Sequence, residues 1–324
     1  MSKDIVIGYH GHCFDGMASA ALLTCLLREL AAGDAQPARF RYVGLDHQPG
    51  GSHVPEKILT GEVNAVVDFR YTMSEKLTWW FDHHLSGLVG DAEREHFLAD
   101  TSGRKFYEAD HGSCSRLIAD VARERFGVHL HAQADLVQWA HIIDTAGFTS
   151  AQMAVELAEP ALQLMTVIEV HGDDAFLAPR IERLAQGTSV AELVAEPQVQ
   201  GLLAPLLEHH RVTTDAIKTR AVEHAGVVHF DLAGLGNDRY NKFIPYWLYP
   251  SARYCVAVTL GRSRAKVSVG SNPWAPVPRT HNIAEICARY GGGGHAVVGA
   301  VSLKGDELER ARTIAAEIVA ELSR

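Results

Sequence analysis

Imidazole and carboxylate residues stand directly after short apolar runs, and that placement constrains the fold of this chain more than any other feature. Ile5-Val6-Ile7-Gly8-Tyr9 runs straight into His10, with Asp15 in the turn beyond it. Val63 to Val67 run into Asp68, and Leu77-Thr78-Trp79-Trp80-Phe81 into Asp82-His83-His84. Phe40 to Val43 form another such run, and a helix-like stretch from Ala18 to Leu27 separates it from the first. Runs apolar on both faces and separated by helices predict a parallel sheet with helices on both sides. In open sheets of this kind, ligands bind outside the carboxyl ends of the strands. Three strands would therefore deliver acids and imidazoles to one rim.

The middle of the chain reads as helical, with segments at 115–126, 132–143, 160–171, 189–194 and 200–223, and no strand is expected there. A second strand-rich block follows, with runs at 227–230, 254–260 and 265–269. After a loop holding Pro273, Pro276 and Pro278, a helix is expected at 282–290, stopped by Gly291-Gly292-Gly293-Gly294. A last strand at 297–303 and a closing helix at 306–322 complete the pattern. The expected fold class is α/β: a doubly wound, mostly parallel first domain over 1–195, a helical linker over 196–225, and a smaller α/β domain over 226–324.

With 39 acidic against 30 basic residues the net charge is −9, which argues against a protein that grips long nucleic acid through its phosphates. A small phosphorylated ligand is compatible with that balance if bound cations supply local positive charge. No apolar run approaches the length needed to span a bilayer, so no membrane partner is expected, and the first residues enter a strand-like segment rather than a leader. The five cysteines are scattered without a CxxC pair and read as reduced thiols of a cytoplasmic protein. Self-association as a homodimer is left open by the sequence.

Taken singly, each candidate has an ordinary reading. An Asp after a strand often caps a helix, a His-His pair in a loop usually faces solvent, and Asp144 in Ile142-Ile143-Asp144-Thr145 suits a helix end. Their joint occurrence changes the weighing. Carboxylates gathered in a partly buried cleft repel each other strongly, and a divalent metal is the simplest neutraliser.

The triplet Asp82-His83-His84 resembles the motif that names the DHH phosphoesterases. The stretch Tyr9-His10-Gly11-His12-Cys13-Phe14-Asp15-Gly16-Met17 is similar to that family's first motif, Val66-Val67-Asp68 to its second and Asp144-Thr145 to its fourth. Gly291-Gly292-Gly293-Gly294-His295 resembles the glycine-histidine signature of the DHH-associated domain. The resemblance implies a manganese-dependent phosphodiesterase or phosphatase, with Mg2+ or another divalent ion as the alternative metal. It implies two ions sharing Asp68, one held with His10 and the other by Asp15, His83 and Asp144. Asp82 would orient a histidine of the triplet, and His84 would sit beside the attacked phosphate. The substrates implied are small nucleotides: short oligoribonucleotides in an exonuclease-like reaction, a nucleoside bisphosphate or a cyclic dinucleotide. Polyphosphate or pyrophosphate hydrolysis is the competing enzymatic reading, and a non-catalytic nucleotide-binding sensor is the third.

Two departures from the family pattern stand out. Its first motif commonly carries two aspartates one residue apart, whereas Cys13 takes the earlier place here and Asp15 the later. Cys13 as a ligand favouring a softer ion, His12 as a substitute, and a weak first site all remain open, and Cys13 as an uninvolved buried thiol weighs as much as the ligand readings together. In the second domain the usual Ser-x-Arg-Ser strand end appears as Ser268-Val269-Gly270-Ser271, without its arginine. Arg279 or His281 would have to replace it. Gly292, Gly293, Gly294 and His295 are expected to contact substrate, since backbone without side chains can approach a ligand closely. Ser113 opens a helix, where anions are favoured, although capping explains a serine there as well. Trp79 and Trp80 are expected to pack against the sheet.

Overall fold

A computed structural model describes residues 3–33, 37–46, 53–235 and 239–324. The chain divides into two compact units, 1–148 with 158–203, and 149–157 with 204–324. The first contains β1 (Asp4–His10), α1 (Phe14–Leu30), β2 (Arg39–Leu45), β3 (Val63–Val67), β4 (Trp79–Asp82), α2 (Asp91–Leu98), β5 (Lys105–Tyr107), α3 (Cys114–Phe126) and α4 (Ala134–Asp144). After α5 (Ala151–Glu156), which belongs to the other unit, come α6 (Pro160–His171), α7 (Asp174–Ala185) and α8 (Val190–Val194). The division falls inside α9 (Pro197–Arg220). The second unit continues with β6 (Val222–His224), β7 (Val227–Asp231), α10 (Ile244–Leu248), β8 (Tyr254–Leu260), β9 (Arg264–Ser271), α11 (Ile283–Ala288), β10 (Gly293–His295), β11 (Val298–Lys304) and α12 (Leu308–Leu322).

The first unit is the α/β half. Its sheet has the order β2-β1-β3-β4-β5, and every pairing in it is parallel. The alternation of the pleat sorts side chains to two faces. On one, Trp80 packs among Leu45, Val66, Phe69 and Tyr71, and its indole nitrogen donates to the Phe69 carbonyl at 2.9 Å. On the other, Trp79 stacks on Phe81 and meets Phe126 of α3. Both tryptophans are thus packing residues.

Helix α1 is buried from Phe14 through Leu27, as expected of a helix apolar around most of its circumference. Its start passes very close to β1. A Cβ at Gly16 would lie 2.2 Å from the His10 carbonyl oxygen, so only glycine lets the helix begin directly beside the strand end.

The second unit carries a six-stranded mixed sheet, order β10-β11-β9-β8-β7-β6. On one face α11 and α12 cover Val256, Val258, Val267 and Val301. On the other, Ile217, Ile244 and Tyr246 pack with Val228 and Phe230. Ala151 and Val155 of α5 join this second cluster. That burial assigns 149–157 to the second unit, although their sequence position suggests the first.

Several elements escape the sequence pattern. Helix α2 buries no residue, so it has no apolar stripe to read. Helix α7 contains Pro179, which reads as a breaker. Strand β5 has three residues, and its pairing with β4 rather than its composition makes it a strand. Strand β6 lies where only helix was expected; it pairs antiparallel with β7 through a tight turn at Ala225 (φ 50°) and Gly226 (φ 80°), the left-handed pair that favours hairpins. The segment around Tyr246, between the strand-like runs at 227–230 and 254–260, forms the short helix α10.

Substitution Gly16→Ala should force α1 away from His10 and lower stability by about 1–3 kcal/mol, read as a reduced denaturant midpoint with unchanged slope.

Candidate metal centre

Strand order explains how the candidate residues meet. β1 ends at His10, β3 is followed by Asp68, and β4 ends at Asp82 with His83 and His84 next. These three strands are parallel neighbours, so their carboxyl ends share one edge of the sheet. Chain order reverses between β1 and β3, the topological switch point at which open sheets leave a crevice. Asp15 comes from the first turn of α1 and Asp144 from the last residue of α4.

Asp68 is the centre of the cluster. It is fully buried, and its Oδ2 lies 3.3 Å from His10 Nδ1. Its Oδ1 lies 3.4 Å from His83 Nε2 and 3.8 Å from His84 Nδ1. The residue adopts φ 56°, left-handed for a non-glycine, a conformation costing about 1–3 kcal/mol. Its amide donates to the Phe81 carbonyl at 2.9 Å, which ties the strained turn to β4.

His83 Nε2 also faces Asp144 Oδ2 at 3.3 Å, while its Nδ1 lies 2.9 Å from the His111 carbonyl oxygen. A donor hydrogen bond there leaves Nε2 as the ligating nitrogen. Asp82 serves the other histidine: its Oδ1 lies 2.8 Å from His84 Nδ1 and accepts from the amide of His83 at 2.9 Å. Asp15 accepts from the amides of Cys114 at 2.8 Å and Ser115 at 3.2 Å. The positive start of α3 therefore holds a carboxylate of the protein itself.

The electrostatics show what the arrangement lacks. Burial pushes the Asp15 carboxyl well above its ordinary range, and Asp68 and Asp144 add to it. Burial and Asp68 likewise lift Asp144 to about 6. For Asp68 burial acts in the same sense, but the His10 and His83 imidazoles beside it outweigh burial and hold the group low. Burial disfavours charge on His83, yet Asp68 and Asp144 raise it to about 9. Without a cation, the cluster approaches neutrality only by retaining protons on its ligand atoms. Divalent ions would take the place of those protons.

The donor atoms fit such ions. Both carboxylate oxygens of Asp68, Asp82 Oδ2 and His83 Nε2 are buried without a well-formed hydrogen bond, a costly state unless a ligand completes them. Three sets of donors each lie within 4.8 Å of one another: His10, Cys13 and Asp68; Asp68, His83 and His84; Asp15, His83 and Asp144. Asp68 belongs to two of them. His12 is exposed and belongs to none, with φ 53°.

Other expected site residues stand elsewhere. Ser113 is fully buried, caps α3 by accepting from the Arg116 amide, and lies 3.2 Å from His141 Nδ1. It is committed to the fold and is not presented to a substrate. Arg279, in the second unit, donates to the His281 carbonyl at 3.1 Å. Gly293 to His295 form β10, which pairs with β11. Much of the glycine run is required by the chain itself. Gly291 is left-handed at φ 77°, and a Cβ at Gly292 or Gly294 would lie 2.2 Å from a β11 carbonyl oxygen. Gly293 has open space around its Cβ position and no left-handed backbone. At Gly270, where the family pattern has arginine, a Cβ would lie 2.6 Å from the Tyr246 hydroxyl. A buried tyrosine occupies the space an arginine stem would need.

Sequence reasoning missed His111, which acts through its backbone carbonyl and so leaves no side-chain signature. Its ring is held between Glu108 and Asp120, at 3.3 Å from each.

No protein-family model and no curated protein matches the sequence. The fold does match solved structures. A pGpG-specific phosphodiesterase, PggH from Vibrio cholerae, superposes with a TM-score of 0.67 at 18% identity over 98% of this chain and 99% of that one. The DHH domain of a protein described as belonging to a family of ribosomal proteins matches with a TM-score of 0.57 at 12% identity, covering 98% of this chain and 86% of the other. This chain has the DHH fold. Within that fold, the triplet Asp82-His83-His84 begins at the last residue of β4, beside the end of the central strand β3 that leads into Asp68, and His83 and His84 approach Asp68 Oδ1 at 3.4 and 3.8 Å.

Divalent metal should raise the melting temperature of EDTA-treated protein, by about 2.7 kcal/mol of stability at a hundredfold excess over Kd. Asp68→Asn should abolish that increment. Because His83 is raised to about 9, it is largely protonated at pH 7 and must release its proton on metal binding. Calorimetry in buffers of different ionisation enthalpy should therefore detect proton release.

Proposed function

We propose that this protein is a metal-dependent phosphoesterase that hydrolyses small nucleotide phosphoesters, short oligoribonucleotides foremost. The observation that carries this reading is the sharing of buried Asp68 between adjoining donor sets at the sheet's switch point. His10, Asp68, His83, Asp15 and Asp144 would hold two divalent ions, manganese being the expected metal. Bound together, such ions supply a water acidified to near neutral pH and Lewis acidity toward phosphoryl oxygens.

The chain's own residues perform the remaining tasks. Asp82 fixes the orientation of the His84 ring through Nδ1, leaving Nε2 as its other functional nitrogen. Burial disfavours charge on His84, but Asp82 and Asp68 raise its pKa above the ordinary imidazole value, which suits a donor to a phosphoryl or leaving oxygen. The side chain retains 34% of its surface, so substrate can reach it. The His111 carbonyl holds His83, and the start of α3 holds Asp15, so neither must reorganise when substrate binds.

The net charge of −9 favours short substrates over long strands, since an acidic chain as a whole repels a long run of phosphates. The likeness to a phosphodiesterase specific for pGpG, over nearly the full length of both chains, supports a linear dinucleotide as the first substrate to test. All five cysteines are free of disulfides, which fits a reducing, cytoplasmic setting. No described helix is long and apolar enough to cross a membrane.

The test is hydrolysis by Mn2+-loaded protein of a panel of diribonucleotides including pGpG, adenosine bisphosphate, cyclic dinucleotides and polyphosphate. Diribonucleotides should be cleaved fastest, and Asp68→Ala should reduce the rate at least about a hundredfold. Full activity in that variant, or exclusive cleavage of polyphosphate, would overturn the reading. His84→Ala should lower kcat by about 10²–10⁴-fold while preserving the metal-induced rise in melting temperature.

A further inference from the structure

We infer that Cys13 is a metal ligand, and that the set it forms with His10 and Asp68 takes a softer divalent cation than the set formed by Asp15, His83 and Asp144. The inference rests on the metal centre proposed above and concerns which ions fill it.

Cys13 is only partly exposed and unoxidised, and it directly precedes α1. It is carried to the cluster by the same close approach of helix and strand that Gly16 permits. Its Sγ, a His10 ring nitrogen and an Asp68 oxygen all lie within 4.8 Å of one another, a spacing that one ion can bridge. A lone thiol near an active site would signify little. Here a second observation accompanies it: Asp68 is fully buried, and neither of its oxygens makes a well-formed hydrogen bond. Its Oδ2 turns toward His10, the side on which Cys13 lies. His12, the alternative donor in the same turn, is exposed and outside every donor set among the described residues.

Ligand chemistry separates the two sets. One thiolate, one imidazole and one carboxylate make a nitrogen, sulfur and oxygen environment, which selects Zn2+, Co2+ or Fe2+ over Mn2+ and Mg2+. The second set offers two carboxylates and one imidazole, and suits a harder ion. The two sets are linked through Asp68 and His83, whose facing atoms are 3.4 Å apart. The geometry therefore favours a mixed pair of ions. Cys13 would ligate as the thiolate, its proton passing to solvent as the sulfur–metal bond forms.

Cobalt reports this directly, without reference to catalysis. EDTA-treated wild-type protein titrated with Co2+ should develop both visible ligand-field bands and a near-ultraviolet thiolate-to-cobalt charge-transfer band. Cys13→Ser should lose the charge-transfer band and keep ligand-field absorption, whereas Asp144→Asn should keep the charge-transfer band. In competition experiments, Cys13→Asp should shift the preference from Zn2+ toward Mn2+ on the order of tenfold or more; this variant also serves if Cys13→Ser does not fold, as judged by circular dichroism. Ligand-field bands without charge transfer in wild type would overturn the thiol assignment while leaving the metal centre intact. Absence of cobalt absorption, together with no thermal shift from Co2+, Zn2+ or Mn2+, would overturn the metal centre and this inference with it.

Discussion

The repulsion among carboxylates gathered around Asp68 is the constraint on which the rest of the first unit depends. Asp15, Asp68 and Asp82 are fully buried, and Asp144 approaches through His83. Such a gathering is costly in a low-dielectric interior unless each charge is answered. The answers come in layers: imidazoles from His10, His83 and His84, backbone amides from the start of α3, and the remaining unsatisfied oxygens that call for a cation. The left-handed backbone at Asp68 belongs to the same account, since strain of that kind persists where the surroundings over-determine a conformation.

The surrounding architecture makes this arrangement rigid. Parallel strands β1, β3 and β4 end on one edge, so three positions of the cluster are set by the register of the sheet rather than by loops. Helix α1 brings Asp15 and Cys13 within reach because Gly16 lets it start against the His10 carbonyl. Trp80 and Trp79 anchor the two faces of β4, which fixes the strand that carries the triplet. Packing far from the chemistry thus determines where the ligands point.

The second unit gives a contrasting lesson about motifs. Its glycine run looks like a surface built for close ligand approach, yet three of its four glycines are demanded by left-handed backbone or by contact with β11. At Gly270 the Tyr246 hydroxyl occupies the space any side chain would need. Among the glycines of the run that face no steric neighbour, Gly293 is the one whose backbone is not left-handed, and His295 beside it is exposed.

Much of the site was legible from the chain alone. The apolar runs ending at Tyr9, Val67 and Phe81 identified the strands, since β-branched and aromatic residues buried on both faces leave an unbroken hydrophobic signature. The residues immediately after them supplied the candidate ligands, since a strand's end leads to the binding edge. Local pattern could not reveal α2, which buries nothing, α7, whose proline reads as a stop, or β5, which exists only through its pairing. Nor could it show that Cys13, and not His12, lies beside His10 and Asp68, or disclose the contact of the His111 carbonyl with His83. Those outcomes depend on which atoms converge when distant segments pack. Residue types and their order determined which chemistry was available; three-dimensional packing decided which donors lie close enough to share an ion, because only it sets the distances between them.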